Sequence, residues 1–219
     1  MSKKVSLLSL FVLLAFSTLT FAQKNEVSFV VGGAVSPAMT DTGSIAIGAL
    51  CPTTQANCGG IVNFTITTKV ESAVFFEGTF SRRVIDAHLA SAYIEVPVAG
   101  IPSRDIKNSF GNNFSSLFFT PGFKVKLRPL AGISPFLSAG AGFAHFNTEL
   151  PSIIPSSSPS NTWATQFGGG ADISTRIHPL AFRAEVRDYL TGAPKFMTVS
   201  IFRHSLHNIL IGGGIVLRF

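Results

Sequence analysis

Hydrophobic and polar residues alternate along much of the chain, most clearly at its C-terminal end. In His207–Phe219 the odd-numbered positions are mostly large and apolar, whereas the even-numbered positions include Asn208, Arg218 and two of the glycines. Successive side chains of a β-strand point to opposite faces of the sheet. The period of two therefore predicts a strand with one apolar face and one small or polar face.

Seven other segments show the same period, three of them clearly and four more weakly. The clear ones are Ile61–Val70, Phe119–Arg128 and Ala181–Leu190, and the weaker ones are Val27–Val35, Ala73–Val84, Pro135–Asn147 and Asn161–Arg176. Together with the C-terminal segment they predict eight β-strands. An even number of strands is typical of single-chain bacterial barrels.

The connections between these predicted strands alternate between long and short. The long connections are Ser36–Gly60, Ile85–Asn113, Thr148–Ser160 and Thr191–Leu206. The short ones follow Val70 and lie near Pro129–Ser134 and Ile177–Pro179. Outer-membrane barrels have short turns at one end and longer loops at the other. The pattern predicts an all-β fold, an eight-stranded antiparallel up-and-down transmembrane β-barrel with a narrow interior filled by side chains.

The composition favours a membrane environment for this barrel. Only 13% of the 219 residues are charged, whereas soluble domains average about 25%. No window after Ala22 holds 18 consecutive apolar residues, and a closed barrel is the other structure that satisfies all backbone polar groups in lipid. A lipocalin-like barrel or a β-sandwich is the soluble alternative, because the period alone does not say which face points inward.

The N-terminal segment Met1–Ala22 has the features of a cleaved secretory signal peptide. Lys3 and Lys4 precede a short apolar run, and Ala22 ends a weak cleavage site. We therefore expect a barrel domain over residues 23–219 in the cell outer membrane. The net charge of +6 comes without a run of Lys and Arg, so nucleic acid is not a predicted partner.

The final segment resembles the C-terminal assembly signal of Gram-negative outer-membrane proteins, which end in an amphipathic strand with a terminal aromatic residue. Phe182–Tyr189 and Gly168–Asp172 are similar to the preceding strands of small barrels of the OmpA, OmpW and opacity-protein type. The resemblance implies contact with outer-membrane lipid and lipopolysaccharide, and with the barrel-assembly machinery during insertion. The positions of the expected assembly signal are Ile209, Ile211, Ile215, Leu217 and Phe219.

Charged residues recur on the predicted inward face of several strands. They are Glu77, Lys124, Lys126, Arg128, Asp172, Arg183, Glu185 and Arg187. Charges removed from bulk water need partners. We expect these side chains to form a network of ion pairs that fills the lumen, with an ion path or a gate as the alternative.

Cys51 and Cys58 are the only cysteines, and both lie in the first long connection. Export to an oxidising compartment favours a disulfide between two such residues. A bridge over this short loop would contribute about 2 kcal/mol.

A histidine and serine group is the main candidate for catalytic chemistry. His204, Ser205 and His207 lie where the last long connection meets the final strand, and His near Ser resembles the lipid A deacylases of the outer membrane. The order of Ser205 and His207 is reversed here, and residues 189–219 contain neither Asp nor Glu to orient a base. The other histidines, His88, His145 and His178, lack the spacing of metal ligands.

These observations predict a non-enzymatic protein with a structural or interactive role at the cell surface. They predict no catalytic, metal or cofactor site, and they do not specify a surface ligand. Two alternatives stay open at this point. One is passage of small apolar solutes, as suggested for OmpW-like barrels, and the other is a lipid A-modifying enzyme.

Overall fold

The computed structural model of the chain describes residues 24–46, 61–107, 113–149, 160–177, 179–192 and 205–219. Within these ranges, no helix has the length and hydropathy needed to cross a membrane. The described strands are β1 (Asn25–Val35), β2 (Met39–Ala46), β3 (Ile61–Val70), β4 (Ala73–Asp86), β5 (Ala90–Lys107), β6 (Asn113–Phe119), β7 (Gly122–Leu127), β8 (Ile133–Glu149), β9 (Ser160–Ser174), β10 (Leu180–Thr191) and β11 (Leu206–Arg218).

The wall of the molecule is a closed barrel of eight antiparallel strands, which confirms the predicted fold class. Strands β6 and β7 are two halves of one wall strand, and both pair with β5 and β8. The interruption falls at Pro121, which has no N–H to donate to the ladder. The barrel closes where β1 pairs with β11, from Glu26 opposite Arg218 to Val35 opposite Ile209.

Two predicted strand positions were wrong. The predicted wall strand Ile61–Val70 is β3, which forms a hairpin with β2 and meets the wall where Val70 pairs with Ile106. Strand β1 pairs directly with β4 instead, and the predicted long connection Ile85–Asn113 contains the wall strand β5. The period of β5 is hidden because inward residues such as Ala99 and Ile101 are as apolar as the outward ones.

The two ends of the barrel differ in the length of their connections. At one end, termed the short-turn end, tight turns join β4 to β5, β7 to β8 and β9 to β10. Both ends of the described chain meet there, since Asn25 N donates to Phe219 O at 2.9 Å. The opposite, long-loop end carries the β2–β3 hairpin, the short connection from β5 to β6, and the longer connections that follow β8 and β10. Outer-membrane barrels place short turns in the periplasm and long loops outside the cell.

The outer face of the wall is apolar and the inner face is mixed. Phe29, Phe182 and Ile211 are 51%, 54% and 53% exposed, whereas Arg183 and Arg187 on β10 are 2% and 1% exposed. A wall that faced water would place its charges outward and its large apolar side chains inward. The observed orientation matches the apolar outer band of a transmembrane barrel.

Glycines allow β1 and β11 to approach closely at the seam where the barrel closes. Gly214 lies opposite Val30, and a Cβ built on Gly214 would overlap the carbonyl oxygen of Phe29. The next residue, Gly213, points to the other face, and the nearest atom to its Cβ would be Arg183 O at 3.6 Å. The inward glycine of the seam is therefore required by packing, and the outward one is not.

Replacing Gly214 with Ala is expected to impair closure, because the added methyl group forces β1 and β11 apart. Overpacking of this kind costs about 1–3 kcal/mol. The fraction of compact barrel after refolding is measured by the gel shift between unheated and boiled samples. Gly213→Ala is the matched control on the same strand and should fold like wild type. Equal folding yields for the two variants would contradict a packing constraint at the seam.

Candidate functional site

The inward side chains of the barrel form two layers of different chemistry. The layer nearer the short-turn end, termed the charged layer, contains five carboxylates and five cations: Glu26, Glu77, Glu95, Asp172, Glu185, Lys124, Lys126, Arg183, Arg187 and Arg218. The layer nearer the long-loop end, termed the aromatic layer, is built around Phe75, Phe114, Phe118, Phe146 and Tyr189. Together these layers occupy the lumen.

The part of the charged layer nearest the short-turn end is held by Glu26 and Asp172, which share three cations, while a fourth, Lys124, pairs with Glu26 and not with Asp172. Lys124 Nζ lies 2.9 Å from Glu26 Oε2, and Lys126 contacts both carboxylates. Arg183 binds Asp172 through two parallel hydrogen bonds, from Nε at 2.8 Å and from Nη2 at 3.2 Å. Such bidentate pairs between Arg and a carboxylate are among the stronger polar contacts in proteins.

The part of the charged layer next to the aromatic layer is centred on Arg187, which forms ion pairs with three carboxylates. Its Nε lies 3.1 Å from Glu77 Oε1 and 3.3 Å from Glu185 Oε1, and its Nη1 lies 2.9 Å from Glu95 Oε1. Tyr189 donates its hydroxyl to the other oxygen of Glu77 at 3.1 Å. This hydrogen bond connects the charged layer to the aromatic layer above it.

The register explains why the long side chains of β10 fit inside a narrow barrel. Arg183 lies opposite Gly214, and Glu185 lies opposite Gly212 on β11 and Gly170 on β9. A Cβ on Gly170 would come within 2.9 Å of the Glu185 Cβ. Glycines on the two flanking strands thus supply the space that the charged side chains of the central strand fill.

The aromatic layer closes the lumen toward the long-loop end. The rings of Phe118 and Tyr189 have centroids 4.8 Å apart, and Phe118 meets Phe146 edge-on at 6.2 Å. All three side chains are 0% exposed, as is Lys124 in the charged layer. A water-filled channel would leave the side chains along its path in contact with solvent. Full burial in both layers therefore means that side chains fill the lumen at both levels.

Seven of the eight charged residues predicted for the lumen lie in the charged layer. The exception is Arg128, which is exposed at the short-turn end. It follows the last residue of β7, and its backbone N–H bonds the Leu89 carbonyl across the turn at 3.1 Å. The end of the strand therefore takes this side chain out of the inward-facing row.

Sequence reasoning missed three members of the charged layer, Glu26, Glu95 and Arg218. Glu95 lies on β5, in a segment that the sequence predicts to be a long connection. Glu26 lies one residue before the predicted start of its strand. Arg218 lies on the small or polar face of the predicted final strand but is not among the charged residues predicted for the lumen. Its guanidinium contacts Glu26 and Asp172.

The other predicted positions are placed as follows. Ile211, Ile215 and Leu217 point outward on β11, and Ile209 and Phe219 are partly buried. Cys51, Cys58 and the signal peptide lie outside the described residues. In the part of the chain that the structure describes, no three His, Cys, Asp or Glu side chains are grouped to hold a metal ion.

A histidine and aspartate pair lies on the exposed face near the long-loop end. His207 Nδ1 is 2.6 Å from Asp188 Oδ2, and the two residues come from the adjacent strands β11 and β10. Ser205 is exposed two residues before His207. The sequence offered no carboxylate in residues 189–219, and the structure supplies one at position 188 from the neighbouring strand. His204 lies outside the described ranges.

The fold is that of small eight-stranded barrels of the outer-membrane type. No protein-family model matches the sequence, and no curated protein is significantly similar to it. Solved structures do resemble it. Neisserial surface protein A shares 12% identity over 88% of this chain and 97% of its own, with a TM-score of 0.50. This similarity shows the fold alone.

Two further solved barrels resemble the chain. The outer membrane protein OprG of Pseudomonas aeruginosa shares 14% identity over 90% of this chain and 97% of its own, with a TM-score of 0.47. The outer membrane enzyme PagL shares 12% identity over 87% and 97%, with a TM-score of 0.39. The fold by itself does not assign a role.

Replacing Arg187 with Gln is expected to lower the free energy of unfolding by about 3–5 kcal/mol, because three buried carboxylates lose their shared cation. Urea titrations followed by Trp163 fluorescence measure the change. Arg128→Gln removes the same charge from an exposed position and should stay within about 0.5 kcal/mol of wild type. If both variants unfolded at the same urea concentration, the charged layer would not be stabilising the barrel.

Proposed function

We propose that this chain is a non-enzymatic barrel of the cell outer membrane with a structural or surface-interaction role. The observation that carries the proposal is the filled lumen, with the charged layer below and the aromatic layer above. A protein that conducts solutes through its barrel needs a continuous hydrated path. Fully buried side chains at both levels oppose such a path.

The energetics of the charged layer also oppose easy opening. Breaking a buried ion pair costs about 3–5 kcal/mol when one partner is left behind, and Arg187 alone holds three carboxylates. Passage of small apolar solutes, as suggested for OmpW-like barrels, would require either a cavity through this layer and through the packed rings above it or a lateral opening in the wall. The buried contacts therefore favour a structural role over transport through the lumen.

The outer surface supports placement in a lipid bilayer. The outward apolar side chains of β1, β10 and β11 are positioned to contact lipid, and the short-turn end would face the periplasm. Lipopolysaccharide would then surround the long-loop end, where the β2–β3 hairpin offers backbone beyond the wall for surface interactions. The terminal strand β11 is the segment that the barrel-assembly machinery would recognise.

Wild-type protein in planar lipid bilayers is expected to show no ion conductance steps, because both layers block the axis. Glu185→Gln should lower the stability of the barrel, since Glu185 contacts Arg187, and should still conduct no ions because the aromatic layer is intact. Single-channel recording and urea titration measure the two quantities on the same preparations. Channel openings by folded wild-type protein, or by Glu185→Gln at unchanged stability, would contradict this role.

A second candidate function, hydrolysis of an acyl chain of lipid A, is favoured by the Asp188–His207 pair. The bond from Nδ1 to Asp188 leaves the Nε2 atom of His207 available as a base. Ser205 lies nearby in sequence on the same chain segment and is exposed. A carboxylate, an imidazole and a hydroxyl near the lipid-facing surface are the residue types that such hydrolysis needs.

This second candidate predicts that purified protein incubated with lipid A releases a fatty acid, detected by mass spectrometry. Ser205→Ala and His207→Ala should then each abolish the release, because either change removes a reacting group. Thr165→Ala, on the exposed face of β9, is a control that should retain it. Lipid A that keeps all its acyl chains would eliminate the enzyme and leave the structural role.

A further inference from the structure

The three tight turns at the short-turn end each expose one large apolar side chain. Leu89 in the β4–β5 turn is 79% exposed, Leu130 in the β7–β8 turn is 82% exposed, and Ile177 in the β9–β10 turn is 65% exposed. Turns are built mainly from Gly, Pro, Asn, Asp and Ser, so the choice of Leu or Ile in all three requires an explanation. Together these three side chains are termed the turn ring.

Hydrogen bonds between backbone atoms hold the turn ring in place. Each of the three turns is closed by such a bond across its tip. The bonds run from Ala87 N to Ala90 O at 2.9 Å, from Leu130 N to Ile133 O at 2.9 Å and from Leu180 N to Ile177 O at 2.8 Å. The exposure of the three side chains is therefore a property of closed turns.

The outer face of β9 gives the height of the apolar band. Trp163 and Ile173 both lie on this face, are 53% and 47% exposed, and stand ten positions apart in the strand. Ten residues extend about 33 Å along a strand, which a tilt of about 40° reduces to about 25 Å along the barrel axis. An outer-membrane barrel has an apolar band about 25 Å tall with aromatic residues at its edges. With Trp163 at one edge, the other edge lies at Ile173, close to the β9–β10 turn.

The turn ring continues the apolar outer band past this edge. Leu127 and Ile133 flank the β7–β8 turn and are 50% and 45% exposed, and Leu130 lies between them at the tip of the turn. Apolar side chains just beyond the band reach the boundary between headgroups and acyl chains, where they are partly buried. The turn ring is therefore placed at the level of the lipid headgroups.

Exposed side chains around the turn ring carry an excess of positive charge. Arg128 and Arg176 lie in the β7–β8 and β9–β10 turns, and Arg82 is exposed near the end of β4. Among the described residues at this end, Asp86 is the one exposed acidic side chain, and it pairs with Arg83 at 3.2 Å. A surface with this charge is complementary to negatively charged headgroups.

We propose that the turn ring and the arginines around it form a binding surface for anionic phospholipids in the leaflet at the short-turn end. The apolar side chains insert below the headgroups, and the arginines bind the phosphate oxygens. The ligand class is a phosphate diester with a net negative charge. The proposal rests on the membrane placement proposed above and adds to it a lipid preference at one end of the barrel.

The lipid preference is tested on folded barrel in nanodiscs that contain equal amounts of phosphatidylglycerol, which is anionic, and phosphatidylethanolamine, which has no net charge. Native mass spectrometry of the released barrel measures the ratio of the two lipids that it retains. Wild type is expected to retain more phosphatidylglycerol, because a basic residue near an anionic surface strengthens binding by about fivefold. Retention of the two lipids in equal amounts would overturn the proposal.

Charge variants locate the preference on the molecule. Arg176→Gln should lower the retained ratio by about twofold to fivefold, and Arg82→Gln combined with Arg176→Gln should lower it further. Lys69→Gln removes one exposed charge at the long-loop end and is the matched control, which should stay close to the wild-type ratio. The gel shift verifies that each variant is folded. An equal decrease in Arg176→Gln and Lys69→Gln would reveal a general charge effect and overturn a surface at the turns.

The depth of the turn ring is tested by fluorescence in the same nanodiscs, where both faces of the bilayer meet solvent. Leu130→Trp is made in a Trp163→Phe background, so that the added tryptophan is the single emitter. Lipids that carry a quencher at the headgroup should quench both this variant and wild-type Trp163, because the two positions lie at opposite edges of the band. Iodide in the solvent should quench the Leu130→Trp variant less than it quenches the unfolded chain.

The quenching results separate this proposal from the membrane placement on which it rests. If the lipid quencher acts on wild-type Trp163 but not on the Leu130→Trp variant, the barrel is inserted while its turns stand in water, and the binding surface is overturned. If the lipid quencher acts on neither, the membrane placement itself is contradicted.

Discussion

The fit of charged side chains into a narrow lumen is the constraint on which the rest of this barrel depends. The interior has room for the row Arg183, Glu185 and Arg187 because glycines on β9 and β11 lie opposite it. Each charge in turn needs a partner from another strand, since burial without one is costly. Strand register, the placement of glycines and closure of the wall are therefore linked. A shift of β10 by one residue in its register would move the charges of this row to the lipid face.

The alternation of residues predicted a wall of eight strands, their antiparallel order and the inward face of most of them, although the predicted eight include β3 in place of β5. It failed at β3 and β5 for a physical reason. The pattern of β3 suits a hairpin outside the wall as well as a strand within it. Strand β5 is apolar on both faces near Ala99 and Ile101, because the aromatic layer is apolar, and so its period was invisible. A local pattern records amphipathicity, and here one inward face was itself hydrophobic.

The candidate sites also show how much a local residue pattern can predict. The network of Lys124, Arg183 and Glu185 was predictable because each residue occupies an inward position in a clear strand. The Asp188–His207 pair was not, because it depends on which strands become neighbours. Pairing across strands is a property of the closed barrel. One sequence gives the face of a residue but not the identity of the residue opposite.

The wide separation in sequence of the ion-pair partners has a consequence for how the chain is assembled. Lys124 and Glu26 are 98 positions apart, and Arg187 and Glu95 are 92 positions apart. Glu26 enters with the first wall strand, yet the cations that neutralise it arrive with β7 and the last strand. A partly inserted sheet would carry unmatched charges into the bilayer, so neutralisation and ring closure coincide. We therefore expect the barrel to enter the membrane as a nearly complete curved sheet rather than one hairpin at a time.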